Sequence, residues 1–201
     1  MIGYDMEWAS FRIIEVMSSP WFGHRRIGYL AASLAYKQDT DVVLLTTHLF
    51  RKAFTANSSG HTGMTEGIMY ENGCALNCLA NIVTADLGKD LLNDVYTMMN
   101  SSKPYVRKKA VLVLYRICKR WPQALRLSFS RLQDRLDDDN QGVVSAAVYV
   151  ICELAERNSR NYLPLAPQFF KILTSSTNNW VTLISSYKSL KIPIHLRSNP
   201  V

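Results

Sequence analysis

The stretch KPYVRKKAVLVLYRI at residues 103–117 and its later copy NQGVVSAAVYVICEL at residues 140–154 decide the fold. The two copies align at an offset of 37, which sets Ala110 against Ala147 and matches most of the surrounding aliphatic residues. Fainter copies place Gly28 and Ala75 at the same position. A small residue therefore recurs at spacings of 47, 35 and 37 residues along the chain.

A recurrence of this length, with two helices in each copy, is typical of HEAT and armadillo repeats. One helix pair cannot bury its apolar side alone, so it stacks on the next pair. A small residue at a fixed position lets neighbouring helices approach closely. The sequence therefore predicts an all-α protein, an α-α superhelix of the HEAT or armadillo type.

Residues 103–120 illustrate the helical pattern in detail. At 100° per residue, a broad apolar side gathers Ala110, Val111, Val113, Leu114, Ile117 and Cys118. The opposite side gathers Lys109, Arg116 and Arg120. Ser102 is the expected cap, Pro104 suits the first turn, and Trp121 before Pro122 predicts the end of the helix.

The same reasoning predicts further helices and the limits of the helical domain. The ranges are 5–17, 25–37, 41–53, 73–83, 86–99, 129–137, 141–156, 163–175 and 178–190. Small and polar residues predict a loop over 54–72. The expected organisation is one helical-repeat domain over residues 3–190, followed by an irregular tail over 191–201.

The charge is unevenly distributed over the 201 residues. The net charge is +7, but the first hundred residues carry 7 Lys/Arg against 10 Asp/Glu, whereas the remainder carries 16 against 6. Between Lys103 and Arg135 there are ten Lys/Arg and a single acid, Asp134. Such a basic half suits an acidic protein partner, a phospholipid surface or a nucleic acid.

The candidate binding residues are the cations of the 103–120 helix. They are Lys103, Arg107, Lys108, Lys109, Arg116, Lys119 and Arg120. The plainest interpretation is a solvated helix face. The functional interpretation is contact with a membrane or an acidic partner. A nucleic-acid-binding helical-repeat protein is the alternative, although few aromatic residues interleave with these charges to stack on bases.

Other chemistry has weak support in the sequence. There is no glycine-rich phosphate loop and no His-Glu-x-x-His motif, so we expect neither an enzyme nor a cofactor, metal or small-molecule substrate. The acidic run from Asp137 to Asn140 is expected to cap the next helix. No apolar run is long enough to span a membrane. Four cysteines without a secretory signal predict a cytoplasmic protein with reduced thiols.

Several segments together resemble the N-terminal trunk of the large adaptins, which are subunits of vesicle-coat adaptor complexes. They are GYD at 3–5, EVMS at 15–18, RIGYLAAS at 26–33, DTDVV at 39–43, SAAV at 145–148, CELA at 152–155 and FFK at 169–171. The segment SSTNNW at 175–180 is most similar to the delta branch, which belongs to the third adaptor-protein complex. The similarity extends over most of residues 3–181.

The resemblance implies a helical solenoid within a heterotetramer of two large chains, one medium chain and one small chain. It also implies contact with an Arf-family GTPase and peripheral association with Golgi and endosomal membranes. The implied role is the sorting of cargo toward lysosome-related compartments, with no nucleic acid bound.

Three departures from the family pattern accompany the resemblance. Helices that precede Gly3 in the family are missing, and residues 54–72 contain an insertion. After Val181 the sequence leaves the family pattern, and the later trunk, the hinge and the ear do not follow. With both ends of the repeat array uncapped, we expect exposed apolar faces and poor solubility of the isolated chain.

Overall fold

A computed structural model describes residues 6–37, 40–55, 65–156, 162, 164–175 and 179 of the chain. Within these ranges the secondary structure is helical and contains no strand. The α-helices are α1 Ser10–Met17, α2 Phe22–Ala35, α3 Thr47–Thr55, α4 Thr65–Ile82, α5 Ala85–Met99, α6 Pro104–Arg120, α7 Gln123–Asp134, α8 Gln141–Ala155 and α9 Ala166–Ser175. Short 3-10 helices at Glu7–Ala9, Asp41–Thr46 and Arg135–Asp137 lead into α1 and α3 and follow α7.

The predicted loop over 54–72 is wrong at both ends. Phe54 and Thr55 complete α3, and α4 already begins at Thr65. Glycine and asparagine disfavour a helix locally, but tertiary contacts outweigh that propensity. Here the first half of α4 packs through Tyr70 on Tyr105, with 6.1 Å between ring centroids, and through the ion pair of Glu71 with Arg25. Residues 56–64 lie outside the described residues.

The remaining helix predictions agree with the structure to within a few residues, with one exception. The predicted helix at 129–137 begins earlier, as α7 at Gln123, and its last residues form the 3-10 helix Arg135–Asp137. The predicted helix at 178–190 and the tail at 191–201 lie outside the described residues, apart from Asn179.

The repeated small residues are buried in the helices α2, α4, α6 and α8. Ala75, Ala110 and Ala147 have no exposed surface, and Gly28 is also buried. At Gly28 the approach is so close that an added Cβ would lie 2.7 Å from the backbone nitrogen of Met17 in α1. The prediction that this position permits close helix packing is confirmed at Gly28.

Two compact units divide the chain, Met1–Ser128 and Phe129–Val201. In the first unit, α2, α4 and α6 pack side by side, α1 packs on α2, and α5 packs on α6 and α3. Its largest fully buried side chains include Phe50, Leu76 and Leu91. Each such side chain contributes about 1.5–3 kcal/mol relative to its exposed state.

The second unit is organised around α8. Asn140 caps α8, because its side-chain oxygen accepts a hydrogen bond from the backbone N–H of Gly142 at 2.9 Å. Gln168 of α9 donates to Asp137 at 3.1 Å. The rings of Phe129 and Tyr162 meet edge to face, with centroids 5.5 Å apart. The acidic run thus caps α8 as predicted.

The turns that precede α2, α6 and α8 close in the same way. The side-chain oxygens of Ser19, Ser101 and Asp138 each accept a hydrogen bond from the backbone N–H two residues later, at 3.3, 3.3 and 2.9 Å. The expected cap of α6, Ser102, is therefore wrong: Ser101 closes this turn, and the N-cap residue Lys103 makes no side-chain capping bond. The predicted first-turn proline and the helix end at Trp121 are confirmed.

Candidate partner-binding surface

The helix α6 separates its apolar and basic sides as the sequence predicts. The apolar side is buried and consists of Val106, Ala110, Val111, Val113, Leu114, Ile117 and Cys118. Five of the seven predicted binding residues are exposed, namely Lys103, Lys108, Arg116, Lys119 and Arg120. The other two, Arg107 and Lys109, are half-buried and engaged by neighbouring groups.

Arg107 holds the turn before its own helix. Its guanidinium donates to the backbone carbonyls of Ser101 and Ser102, at 3.0 and 3.3 Å. Arg25, at the corresponding position of α2, donates in the same way to the carbonyls of Ser19 and Pro20. The contact is thus a structural feature of the repeat. Arg107, predicted as a binding residue, therefore also has a structural role in the turn before α6.

Lys109 spans the boundary between α6 and α4. Its ammonium donates to Asn77 Oδ1 at 2.8 Å and lies 5.6 Å from the centroid of the Tyr105 ring. Burial lowers the pKa of Lys109, and the like charge of Lys108 lowers it further. Lys109 therefore supplies positive charge to the surface from a fixed position.

Tyr105 completes the junction between α4 and α6. Its side chain lies directly over Gly73, where an added Cβ would come within 2.8 Å of the phenolic oxygen. The Tyr105 ring thus occupies the space that a side chain at residue 73 would take, and any larger residue there would have to displace it. The exposed cations of α6 are thereby held on a helix that is fixed against its neighbour.

An exposed apolar row on α2 was not identified from the sequence. Ile27, Leu30 and Leu34 are 62%, 55% and 64% exposed. The spacing i, i+3, i+7 places them on one side of the helix, opposite the buried Gly28, Tyr29 and Ala32. Their helical spacing is visible in the sequence. A buried helix face shows the same spacing, so the sequence pattern does not distinguish an exposed apolar row from a buried one.

Three of the four cysteine thiols lie where burial disfavours the thiolate. Burial raises the pKa of the Cys78 and Cys118 thiols to about 12, and it also raises the pKa of Cys74. Among the described residues, no group of three or more His, Cys, Asp or Glu side chains is arranged to hold a metal ion. The described helices also include none that is long and apolar enough to cross a membrane.

Residues 1–185 match the family described as the adaptin N-terminal region. The chain belongs to the adaptin N-terminal family. It is 52% identical over 183 residues to the AP-3 complex subunit delta-1 of Bos taurus, which covers 91% of this chain and 14% of the relative. It is 47% identical over 188 residues to the AP-3 complex subunit delta of Dictyostelium discoideum, which covers 94% and 16%.

The adaptin chain also resembles a chain in a structure of the full-length AP-3 complex in an intermediate open conformation, itself a homology model. The TM-score is 0.78 at 36% identity, over 100% of this chain and 36% of the other. This likeness confirms the α-solenoid class, and the delta-subunit relatives confirm the resemblance. The chain spans about a sixth of the length of these two relatives. The nucleic-acid interpretation gains no support from them.

Proposed function

We propose that this chain is part of the trunk of a large adaptor subunit of the AP-3 delta type. In this role it is a non-enzymatic scaffold that binds the second large, the medium and the small chain of a heterotetramer. The observation that carries the proposal is 52% identity to an AP-3 delta subunit over 91% of the chain. The local repeat geometry supports it, because stacked helix pairs present extended binding surfaces.

The proposed setting is the cytoplasmic face of Golgi and endosomal membranes. There the assembled coat sorts cargo in vesicles toward lysosome-related compartments, with an Arf-family GTPase as a further partner. The chain would associate peripherally, through the complex and through its own cations. Its relation to the delta subunits supports this setting.

The basic side of α6 is the proposed contact with an anionic surface, either a membrane or an acidic partner chain. Lys108, Arg116, Lys119 and Arg120 are exposed and available for contact. A basic residue close to an anionic bilayer contributes about 1 kcal/mol. Lys103 extends this charge to the start of the helix, and Lys109 adds to it from its fixed position. Arg107 contributes charge but also holds the turn before α6.

Co-expression with the small subunit of an AP-3 complex, followed by size-exclusion chromatography, tests the scaffold role. We expect the two chains to co-elute as a stable pair, since a retained trunk interface buries apolar surface on both. A folded chain that elutes separately from the small subunit would contradict the proposal.

Charge reversal tests the α6 surface. In the triple variant Arg116→Glu, Lys119→Glu and Arg120→Glu, we expect binding to anionic vesicles or to the assembled partners to fall at least tenfold. The matched control is Arg12→Glu, Lys52→Glu and Lys89→Glu, which changes the net charge equally at exposed sites on α1, α3 and α5. Equal binding by both variants would mean that the α6 cations form a solvated helix face and do not contact the anionic surface.

A further inference from the structure

Three equivalent surface positions recur on α2, α4 and α6, which pack side by side in the first unit. The spacings that relate Gly28, Ala75 and Ala110 also relate these positions to one another. The rows are Ile27, Leu30 and Leu34 on α2, then Cys74, Asn77 and Asn81 on α4, then Lys109, Leu112 and Arg116 on α6. The α2 row is entirely aliphatic, the α4 row is uncharged, and the α6 row carries two cations on either side of the half-buried Leu112.

The α2 row is an apolar surface that no described element covers. Its three side chains are each more than half exposed. One turn earlier on the same side, an added Cβ at Gly23 would meet nothing within 4 Å. Single exposed aliphatic residues are ordinary, but an aligned row on one helix face is typical of a binding site.

The rows are physically continuous. Arg25 of α2 forms a 2.6 Å ion pair with Glu71 of α4, which fixes these two helices side by side. Lys109 of α6 bonds to Asn77, which is itself in the α4 row. Beyond Lys109 the exposed cations Lys108, Arg116 and Lys119 extend the basic edge. A ligand that crosses α4 would therefore meet aliphatic side chains on one side and positive charge on the other.

We propose that this face of α2, α4 and α6 binds an amphipathic helix of a partner protein, with its aliphatic side chains on the α2 row and its carboxylates on α6. Charge complementarity selects an acidic ligand, and the aliphatic row requires apolar side chains at its other end. Packed helices lie about 9 Å apart, so the ligand crosses roughly 18 Å from α2 to α6. A helix of about 12 residues spans that distance. The inference rests in part on the proposed function, because the α6 cations serve both.

A partner helix fits these observations better than a bilayer does. In an interfacial membrane helix, the apolar side chains lie deeper than the charged ones. Here the aliphatic and basic side chains occupy equivalent positions on equivalent helices, so they project from one surface side by side. A ligand with separate apolar and acidic ends matches that arrangement. The carboxylates would favour the N-terminal turns of the ligand helix, where its dipole stabilises negative charge.

Fluorescence polarisation with a synthetic peptide tests the inference on the complete chain. The probe is a labelled helical peptide of about 14 residues, with glutamates in its N-terminal half and leucines at i, i+3 and i+4 spacing in its C-terminal half. A scrambled peptide of the same composition and vesicles of anionic lipid are the comparison ligands. We expect the patterned peptide to bind, and to bind at least tenfold more tightly than the scrambled one.

Variants on both sides of the face separate the two contacts. Leu30→Glu and Leu34→Glu should each weaken peptide binding about tenfold, because a buried leucine contact is lost. Arg116→Glu should weaken it as well, because an anion then replaces one cation of the basic edge. Arg12→Glu, on α1, should leave the affinity unchanged. Far-UV circular dichroism should be the same for all variants, since each replaced side chain is exposed.

Three results would overturn the inference. The first is that the scrambled peptide binds as tightly as the patterned peptide. The second is that Leu30→Glu binds the patterned peptide with unchanged affinity. The third is that the patterned peptide does not bind while binding to anionic vesicles depends on Leu30. The peptide assay uses the chain alone, so it is independent of co-elution with the small subunit. If the chain co-elutes with the small subunit but does not bind the peptide, the inference fails and the proposed function stands. If it binds the peptide but elutes separately from the small subunit, the scaffold role fails.

Discussion

Gly28 of α2 lies against the backbone of Met17 in α1, and a Cβ at Gly28 would stand 2.7 Å from the Met17 nitrogen and 2.8 Å from its Cγ. The corresponding residues in α4, α6 and α8 are alanines that are completely buried. The α1–α2 pair therefore approaches more closely at this position than an alanine allows. Because the nearest atom belongs to the backbone, rotation of a side chain cannot relieve the overlap.

Replacing Gly28 with alanine should destabilise the fold by about 1–3 kcal/mol, the usual cost of overpacking. Urea denaturation monitored by far-UV circular dichroism gives the change. The matched control is Gly23→Ala in the first turn of the same helix, where nothing lies within 4 Å of an added Cβ. That substitution should be neutral or stabilise by up to about 1 kcal/mol. Equal stability of the two variants would contradict the close approach.

Arg25→Lys should lower the stability by about 1–3 kcal/mol although it preserves the charge. The guanidinium donates through Nη1 to two backbone carbonyls and through Nη2 to Glu71, and one ammonium cannot reproduce this fork. The control is Arg12→Lys on the exposed surface of α1, which should change the stability by less than about 0.5 kcal/mol. Thermal unfolding of both variants makes the comparison. If Arg25→Lys kept the full stability, a positive charge at residue 25 would be sufficient and the guanidinium geometry would not matter.

Asn72→Leu should stabilise the chain by about 1–2 kcal/mol. Asn72 is 1% exposed, and neither atom of its amide has a hydrogen-bond partner within the part of the chain that the structure describes. It occupies the position in α4 that Arg25 and Arg107 occupy in their helices, but its side chain is much shorter. Asn81→Leu, at an exposed site on the same helix, is the control and should not stabilise. A lower urea midpoint for Asn72→Leu would mean that the amide is satisfied in solution.

The stability should decline in alkaline solution. Burial raises the pKa of Cys78 and Cys118 from 9.0 to about 12, so the folded chain keeps two protons that the unfolded chain loses. The associated stability is complete below about pH 9 and is lost as the pH rises toward 12, at about 1.4 kcal/mol per pH unit for each thiol.

Urea midpoints measured between about pH 8 and pH 11 should show this decline. In Cys78→Ala the decline of stability with pH should be less steep, because one fewer proton is released on unfolding. Leu79→Val, a neighbouring buried change without an ionisable group, should lower the stability at every pH and leave the slope unchanged. An identical slope in Cys78→Ala and the unmodified chain would rule out this thiol as a source of the decline.

The helical architecture could be predicted from the sequence because the residues that form the core are local and periodic. The apolar side of α6, which includes Val106, Ile117 and Cys118, follows one helical period and is buried. The first half of α4 was missed for the opposite reason. Its helix depends on contacts with Arg25 and Tyr105, which come from distant parts of the chain. No local pattern around Gly67 or Gly73 contains that information.

The candidate surface could be predicted only in part. Exposure of Lys108, Arg116, Lys119 and Arg120 follows from their side of the helix. The turn contact of Arg107 does not, because a wheel diagram omits the reach of a guanidinium across to the preceding loop. The exposed row on α2 required knowing which of two apolar sides packs inward. The side of α2 that contains Gly28 packs inward against Met17 of α1, and this contact is known only from the structure.

The side-chain bonds that close the turns at Ser19, Ser101 and Asp138 have a consequence for how the chain folds. Each joins residues two apart in sequence, so it forms without waiting for distant segments to meet, and its loop-closure entropy is small. Every such turn can therefore initiate the helix that follows it. Chains rich in short-range contacts reach the native state quickly. Nucleation at several points, followed by docking of adjacent pairs, is the folding route that this arrangement favours.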